Sequence, residues 1–314
     1  MNNSSQISDS GDKSHYETSA FTRELIDEVA HSHFSINAWR TLLSRSWARS
    51  LNDIRESSAR ARSCWSWIAG VAATGIGIVS LTLFLQSPDR ALTALMYWIP
   101  WYASAAFFLL THLGMVDDGQ GHPRSSLLLP NGLSFLRLSL APLVVWPCLQ
   151  IPVNPTTGAV FAALVLGLSS TDLLDGWLAR RRKLCTRLGH MLDPLADLAL
   201  LTFLALGLYL VGAIPATLLL LLFVRYPVSF VGVLIIYFVR GPVPLRPTFI
   251  GKATTFVTSI VLLAIALKTL LPVSWPSPQV IEWSIRLLYF LITINILYLI
   301  NRATTWSRMF NEAH

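Results

Sequence analysis

Residues 171–198 read TDLLDGWLARRRKLCTRLGHMLDPLADL and hold four aspartates at two helical spacings. At 100° per residue, Asp172, Asp175, Gly176, Ala179 and Arg180 fall within one arc of about 140°. Asp193 and Asp197, four apart, share a second helical face. The basic connection at 181–187 is short enough to make the two helices antiparallel neighbours, so the four carboxylates can converge between them. Inside a bilayer each carboxylate costs roughly 2.5–3.5 kcal/mol on insertion scales, and four together repel one another. One or two divalent cations would answer both problems, and magnesium favours carboxylates together with phosphate oxygens. Gly176 and Ala179 leave a recess beside the carboxylates, and Gly189 either adds to it or lets the helices pack closely. The competing reading has the aspartates capping helices and pairing with Arg180, Arg181, Arg182 and Arg187. That accounts for one or two of them, but not for four at regular spacing among small residues.

Composition places this stretch in a membrane. Of the 314 residues 53% are hydrophobic and 13% charged, with mean hydropathy +0.54, whereas soluble domains carry about a quarter charged residues. Runs of bilayer-crossing length predict eight spans: 65–86, 91–116 (interrupted by Pro100), 133–149, 156–179, 188–210, 215–239, 253–271 and 285–300. The opening MNNSSQISDSGDKSHYETSA is polar, which predicts a poorly ordered tail and no cleavable signal. Cys64, Cys148 and Cys185 are too scattered for a disulfide framework or a zinc site.

The net charge of +7 bears on topology, with no nucleic acid implied. Arginines 40, 45, 49, 55, 60 and 62 precede the first span. Later basic loops hold Arg180 to Lys183 with Arg187, then Arg240, Arg246 and Lys252, then Arg302 and Arg308, and the loops at 152–155 and 212–215 are uncharged. Short basic loops stay cytoplasmic, so both termini are expected inside, in a bacterial inner membrane or its equivalent. Trp39, Leu42, Leu43, Trp47, Leu51 and Ile54 recur at helical spacing among arginines. They predict an amphipathic helix, either on the inner membrane surface or packed on the protein's cytoplasmic face. His31 and His33 lack the further ligands that a metal site needs.

The pattern D-x2-D-G-x2-A-R-x8-G-x3-D-x3-D, with all eight fixed positions present, resembles the signature of the CDP-alcohol phosphatidyltransferase family. The likeness extends to PNGLSFLR at 130–137, to Arg225 in the fourth core helix, and to RPTFIGK at 246–252. It implies an all-α integral membrane protein with a six-helix catalytic core at 127–302. Two extra transmembrane helices at 65–126 precede that core, and tails at 1–64 and 303–314 flank the whole. It further implies cleavage of a CDP-linked lipid with release of CMP, and two Mg2+ or Mn2+ ions held by Asp172, Asp175, Asp193 and Asp197. Asp197 would also be the general base. Asn131, Gly176, Ala179 and Arg180 would border the nucleotide.

Arg225 is the only charge between residues 198 and 239. A buried cation should face the bundle interior and a partner. It is expected to bind acceptor or lipid phosphate together with Lys252 and Arg137, or else to pair with one of the four aspartates. The implied partners are CDP-diacylglycerol, an alcohol and the bilayer, and a homodimer is compatible. The Asp-Pro-x-Ala-Asp run resembles members that use glycerol 3-phosphate, or phosphatidylglycerol in the cardiolipin-forming type. Glycerol 3-phosphate is the first expectation and phosphatidylglycerol the alternative. Leu198 and Tyr226 depart from the patterns of both. A transporter should show repeats with broken helices, and none is visible. An inactive scaffold should have lost an aspartate, and none is lost.

Overall fold

The computed structural model describes residues 57–85, 88–117, 124–145, 155–182, 184–232, 249–271, 276–312, residue 274 and scattered positions from 37 to 52. Among these residues there is no strand. The helices are α1 (Ser58–Leu85), α2 (Pro88–Thr111), α3 (Leu129–Leu140, tightening into a 3-10 turn Ala141–Val144), α4 (Pro155–Arg182) and α5 (Arg187–Leu210). After them come α6 (Ala216–Phe223, running into a π-helical turn Val224–Val228), α7 (Phe249–Leu270) and α8 (Pro278–Glu312).

Among the described residues, six helices are long and apolar enough to cross a membrane: Ser58–Leu81, Pro88–Thr111, Gly158–Ala179, Arg187–Leu210, Phe249–Leu270 and Pro278–Asn301. The chain is a multi-pass membrane protein. Two of the eight expected spans are met by shorter elements: 133–149 by α3 and its 3-10 turn, with 146–149 outside the described residues, and 215–239 by Ala216–Gly232, with 233–239 outside them.

A bilayer core offers no water to backbone groups, so every spanning segment must close its hydrogen bonds internally. Short hydroxyls follow the same constraint and donate back one turn: Thr74 to the Gly70 carbonyl at 2.8 Å, Ser170 to Leu166 at 2.6 Å and Thr258 to Thr254 at 2.7 Å. Pro100 does not break α2, and Ser104 Oγ donates to the Pro100 carbonyl at 2.8 Å. Large apolar side chains such as Phe84, Met96, Leu173, Phe256 and Phe290 face outward, where lipid rather than water is their solvent.

The interior forms around α5, half of whose spanning window is buried, more than in any of the other five. Leu188, Leu192, Leu204 and Leu208 of α5 meet Phe135 of α3, Phe161 of α4, Leu218 of α6 and Leu262 of α7 in one core. The tight turn after α5 explains the uncharged 212–215 loop. Gly212 adopts φ +72°, a left-handed conformation open to glycine. The Ala213 and Gly212 amides donate to the Leu208 and Tyr209 carbonyls at 2.8 and 2.9 Å, closing the helix end with no charged cap.

Of the expected amphipathic helix, the described positions between 37 and 52 are helical, and Trp47 stacks on Phe107 of α2 with ring centroids 5.6 Å apart. That contact lays Trp47 against the protein itself. Trp39, Leu42, Leu43, Ile54, His31, His33 and Cys148 lie outside the described residues.

Candidate active site

Three helices build one polar cluster. Helix α3 carries Asn131, Ser134 and Arg137 along one stripe, α4 carries Asp172 and Asp175, and α5 carries Asp193 and Asp197. The Arg137 side chain is fully buried, with Nη1 3.0 Å from Asp172 Oδ1 and Nη2 3.5 Å from Asp175 Oδ2 and 3.1 Å from Asp197 Oδ1. Ser134 Oγ lies 2.5 Å from Asp193 Oδ1 and 3.2 Å from Asp175 Oδ2. Its single proton serves one carboxylate at a time. The α3 side chains therefore stand between the two aspartate-bearing helices and touch all four carboxylates.

Exposure grades across the cluster. The Asp175 side chain is 4% exposed, against 49% for Asp172 and 38% for Asp197. The site is thus sealed behind Asp175 and open at Asp172 and Asp197. Four carboxylates against one guanidinium leave an excess of three negative charges (4 − 1 = 3).

A second network lies one turn earlier on α3. Thr186 caps α5, its Oγ accepting from the Gly189 amide at 3.0 Å and donating to Asn131 Oδ1 at 3.0 Å. A Cβ on Gly189 would stand 2.8 Å from Asn131 Oδ1, so this glycine serves close packing, one of its two expected roles. Asn131 Oδ1 accepts from Thr186, and its buried Nδ2 has no hydrogen-bond partner among the described residues. Gly176 and Ala179 are half-buried on α4; Arg180 follows on the same helix, and its side chain lies outside the described residues.

Two nearby arginines have other partners. Arg181 lies over the Trp177 ring at 4.8 Å, and Arg187 forms a two-pronged pair with buried Asp117, its Nε 3.0 and 2.8 Å from the two carboxylate oxygens. Among the described residues, the cation within ion-pair distance of the cluster is Arg137. The sequence held the signal for this, because Arg137 lies in a predicted span and an intramembrane cation needs an acidic neighbour.

Arg225 forms no ion pair with the four aspartates among the described residues. It sits half-buried in the π-helical turn of α6, 5.2 Å from the Tyr226 ring, and its buried Nε has no hydrogen-bond partner among the described residues. Pro227, lacking an N–H, interrupts the helical ladder here, and Ser229 Oγ donates to the Val224 carbonyl five residues back at 2.8 Å. Such turns concentrate at functional sites. Lys252 is exposed on the first turn of α7.

Hard carboxylate oxygens with excess negative charge suit a divalent cation. With Arg137 among them, no three aspartates in the described residues are gathered closely enough to hold one. The donor chemistry fits a cation, and the residues that would hold it are Asp172, Asp175, Asp193 and Asp197.

A carboxylate cluster with an unfilled amide nearby, set in a bundle of membrane-crossing helices, is compatible with an enzyme that handles phosphate groups through a divalent cation. Residues 127–300 match the CDP-alcohol phosphatidyltransferase family, and the chain belongs to it. That family generally depends on divalent metal. Among similar proteins, the CMP-forming cardiolipin synthase of Streptomyces coelicolor is 38% identical over 131 residues, 41% of this chain and 60% of that one. The CMP-forming cardiolipin synthase of Rattus norvegicus is 34% identical over 152 residues, 43% of this chain and 49% of that one. The CDP-diacylglycerol–glycerol-3-phosphate 3-phosphatidyltransferase of Aquifex aeolicus is 33% identical over 149 residues, 46% of this chain and 79% of that one. The chain thus spans 60% and 49% of the two cardiolipin synthases.

Proposed function

We propose that the protein transfers a phosphatidyl group from CDP-diacylglycerol to the primary hydroxyl of a glycerol-based acceptor and releases CMP. The observation that carries this reading is the convergence of Asp172, Asp175, Asp193 and Asp197 on Ser134 and Arg137. In the reaction the acceptor oxygen forms a bond to the lipid-side phosphorus. The bond from that phosphorus to the bridging oxygen breaks, and the electron pair leaves with CMP. Asp172, Asp175, Asp193 and Asp197 would hold divalent ions, which when bound would supply charge neutralisation for the pyrophosphate and the departing CMP.

This chain's own side chains do the remaining work. Asp197 accepts the hydroxyl proton. Its side chain is 38% exposed, whereas Asp175 is sealed off, and a base must come within hydrogen-bond reach of its proton. Asn131 Nδ2 offers an unused donor to the nucleotide, a role shared with Gly176, Ala179 and Arg180. Arg225 binds the phosphate of the acceptor or lipid, a role shared with Lys252. Arg137 serves as counter-charge for the carboxylates. Positioning and charge neutralisation dominate phosphoryl transfer, and these assignments supply both. The catalytic unit is 127–302, following two additional spans at 65–126. The basic loops and both termini face the cytoplasm, as does the open side of the aspartate cluster.

Glycerol 3-phosphate is the acceptor first expected from the sequence. Similarity to proteins named CMP-forming cardiolipin synthase favours phosphatidylglycerol as a second reading. Purified protein given labelled CDP-diacylglycerol, Mg2+ and each acceptor in turn separates the two by lipid product. Release of CMP should stop in excess chelator and return with Mg2+ or Mn2+. No CMP from either acceptor, or full turnover in chelator, would sink the reading.

A further inference from the structure

Helices α1 and α2 precede the part of the chain that matches the family, yet their side chains reach the helix that carries Ser134 and Arg137. The α3 ladder fails where it is most needed. The Ala141 amide donates to the Arg137 carbonyl, but the next donor would be residue 142. That residue is proline and has no N–H. The Leu138 carbonyl loses its four-residue partner, and the Ser139 carbonyl loses the three-residue partner that a 3-10 turn would give it. Two indoles fill these places: Trp101 Nε1 donates to Leu138 O at 2.8 Å, and Trp98 Nε1 to Ser139 O at 3.1 Å.

The donors are themselves held in place. Trp98 is buried and lies against Gly75 of α1, where a Cβ would come within 2.0 Å of its ring. Trp101 meets Phe203 of α5 edge-on at 5.0 Å, and Tyr102 donates to the Ile68 carbonyl at 2.7 Å. At the other end of α3, Trp67 covers Gly132 so closely that a Cβ would lie 2.1 Å from the indole. Asp117, past the end of α2, grips Arg187 on the first turn of α5.

We propose that the α1–α2 hairpin is a working part of the site. Trp98 and Trp101 are positioning residues that replace the hydrogen bonds Pro142 removes, and so fix Arg137 and Ser134 against the four carboxylates. This rests on the transferase reading for its consequence, because a loosened α3 end should blur the geometry that receives metal and substrate.

Phenylalanine at 98 and 101 keeps the ring and deletes only the donor. Full-length Trp98→Phe/Trp101→Phe protein should show amide exchange at 137–141 faster by about tenfold or more, since local opening governs exchange. The Mg2+ concentration giving half-maximal thermal stabilisation should rise roughly fivefold or more, as two modest hydrogen bonds allow. kcat should fall more than KM for CDP-diacylglycerol changes. Met96→Ala, on the lipid-facing side of α2, should leave all three unchanged.

Pro142→Ala supplies the rescue. A restored amide at 142 gives Leu138 O its own donor, so Trp101→Phe/Pro142→Ala should recover metal half-saturation to within about twofold of wild type. Unchanged exchange and metal dependence with only a lower melting temperature would overturn the proposal, as would failure of the rescue. If wild type neither releases CMP nor gains stability from metal, the transferase reading fails by itself. Exchange at 137–141 and its recovery in the Pro142→Ala pair then decide the brace.

Discussion

Replacing Arg137 by glutamine tests the arrangement at its centre. The guanidinium lies 3.0, 3.5 and 3.1 Å from three carboxylates and is fully buried. Breaking a fully buried ion pair costs about 3–5 kcal/mol, because the remaining charge is left unpaired. Asp172 and Asp197 are 49% and 38% exposed, and water screens them, so the expected loss in metal-free protein is about 2–3 kcal/mol. On the scaling for domains of comparable size this lowers the melting temperature by roughly 4–10 °C. Metal should reverse the order of events. The variant cluster carries one more uncompensated negative charge and binds a cation more tightly, and a ligand at a hundred times its Kd stabilises by about 2.7 kcal/mol. Thermal unfolding in detergent, with chelator and then with saturating Mg2+, should show the deficit shrinking by about half or more. Equal deficits in the two conditions would refute the counter-charge role. An equal deficit accompanied by a raised KM for CDP-diacylglycerol would return Arg137 to the lipid phosphate.

Asp197→Asn should leave CDP-diacylglycerol binding nearly intact and reduce kcat by about 10²–10⁴-fold, as loss of a general base does; single-turnover kinetics separates the two. Arg225→Ala should raise KM for glycerol 3-phosphate by roughly ten- to a hundredfold, as loss of a charge-assisted hydrogen bond does. An equal rise in KM for CDP-diacylglycerol would place Arg225 on the shared lipid phosphate. Single cysteines at 181–187 and 240–252, in a background lacking Cys64, Cys148 and Cys185, should resist an impermeant thiol reagent applied to intact cells, while one at 152–155 should react. Labelling at 181–187 from outside would reverse the orientation.

The spacing of Asp172, Asp175, Asp193 and Asp197 was legible because helical periodicity alone decides which residues share a face. The helix boundaries followed for the same reason: predicted spans 156–179, 188–210 and 253–271 became Pro155–Arg182, Arg187–Leu210 and Phe249–Leu270. What the sequence concealed was choice of partner. From sequence Arg187 was a candidate partner for the aspartates and Arg137 a candidate for phosphate, and only the packing of α3 between α4 and α5 seats Arg137 among the carboxylates while Asp117 takes Arg187. Asp117 gave no periodic signal, since it lies in a connection whose path is not set by hydrophobic pattern. Likewise Gly189 could read as a recess or a close contact until Asn131 was placed 2.8 Å from its notional Cβ.

Concealment of this kind has a physical source. Between membrane helices there is no hydrophobic driving force, because lipid tails are as apolar as leucine, so association falls to close packing and polar contacts. The α1–α2 hairpin meets the core in those two ways. Trp67 seats on Gly132; indole donors meet orphaned carbonyls, and Arg60 Nε reaches the Arg124 carbonyl at 2.9 Å. These hydrogen bonds pair residues 37 to 64 positions apart in the chain, beyond what any local pattern encodes. A proline in α3 is tolerable in a bilayer only if something else satisfies the carbonyls it abandons. Pro142 and the two tryptophans are therefore one feature, and removing the indole donors alone should be costlier than removing them together with Pro142.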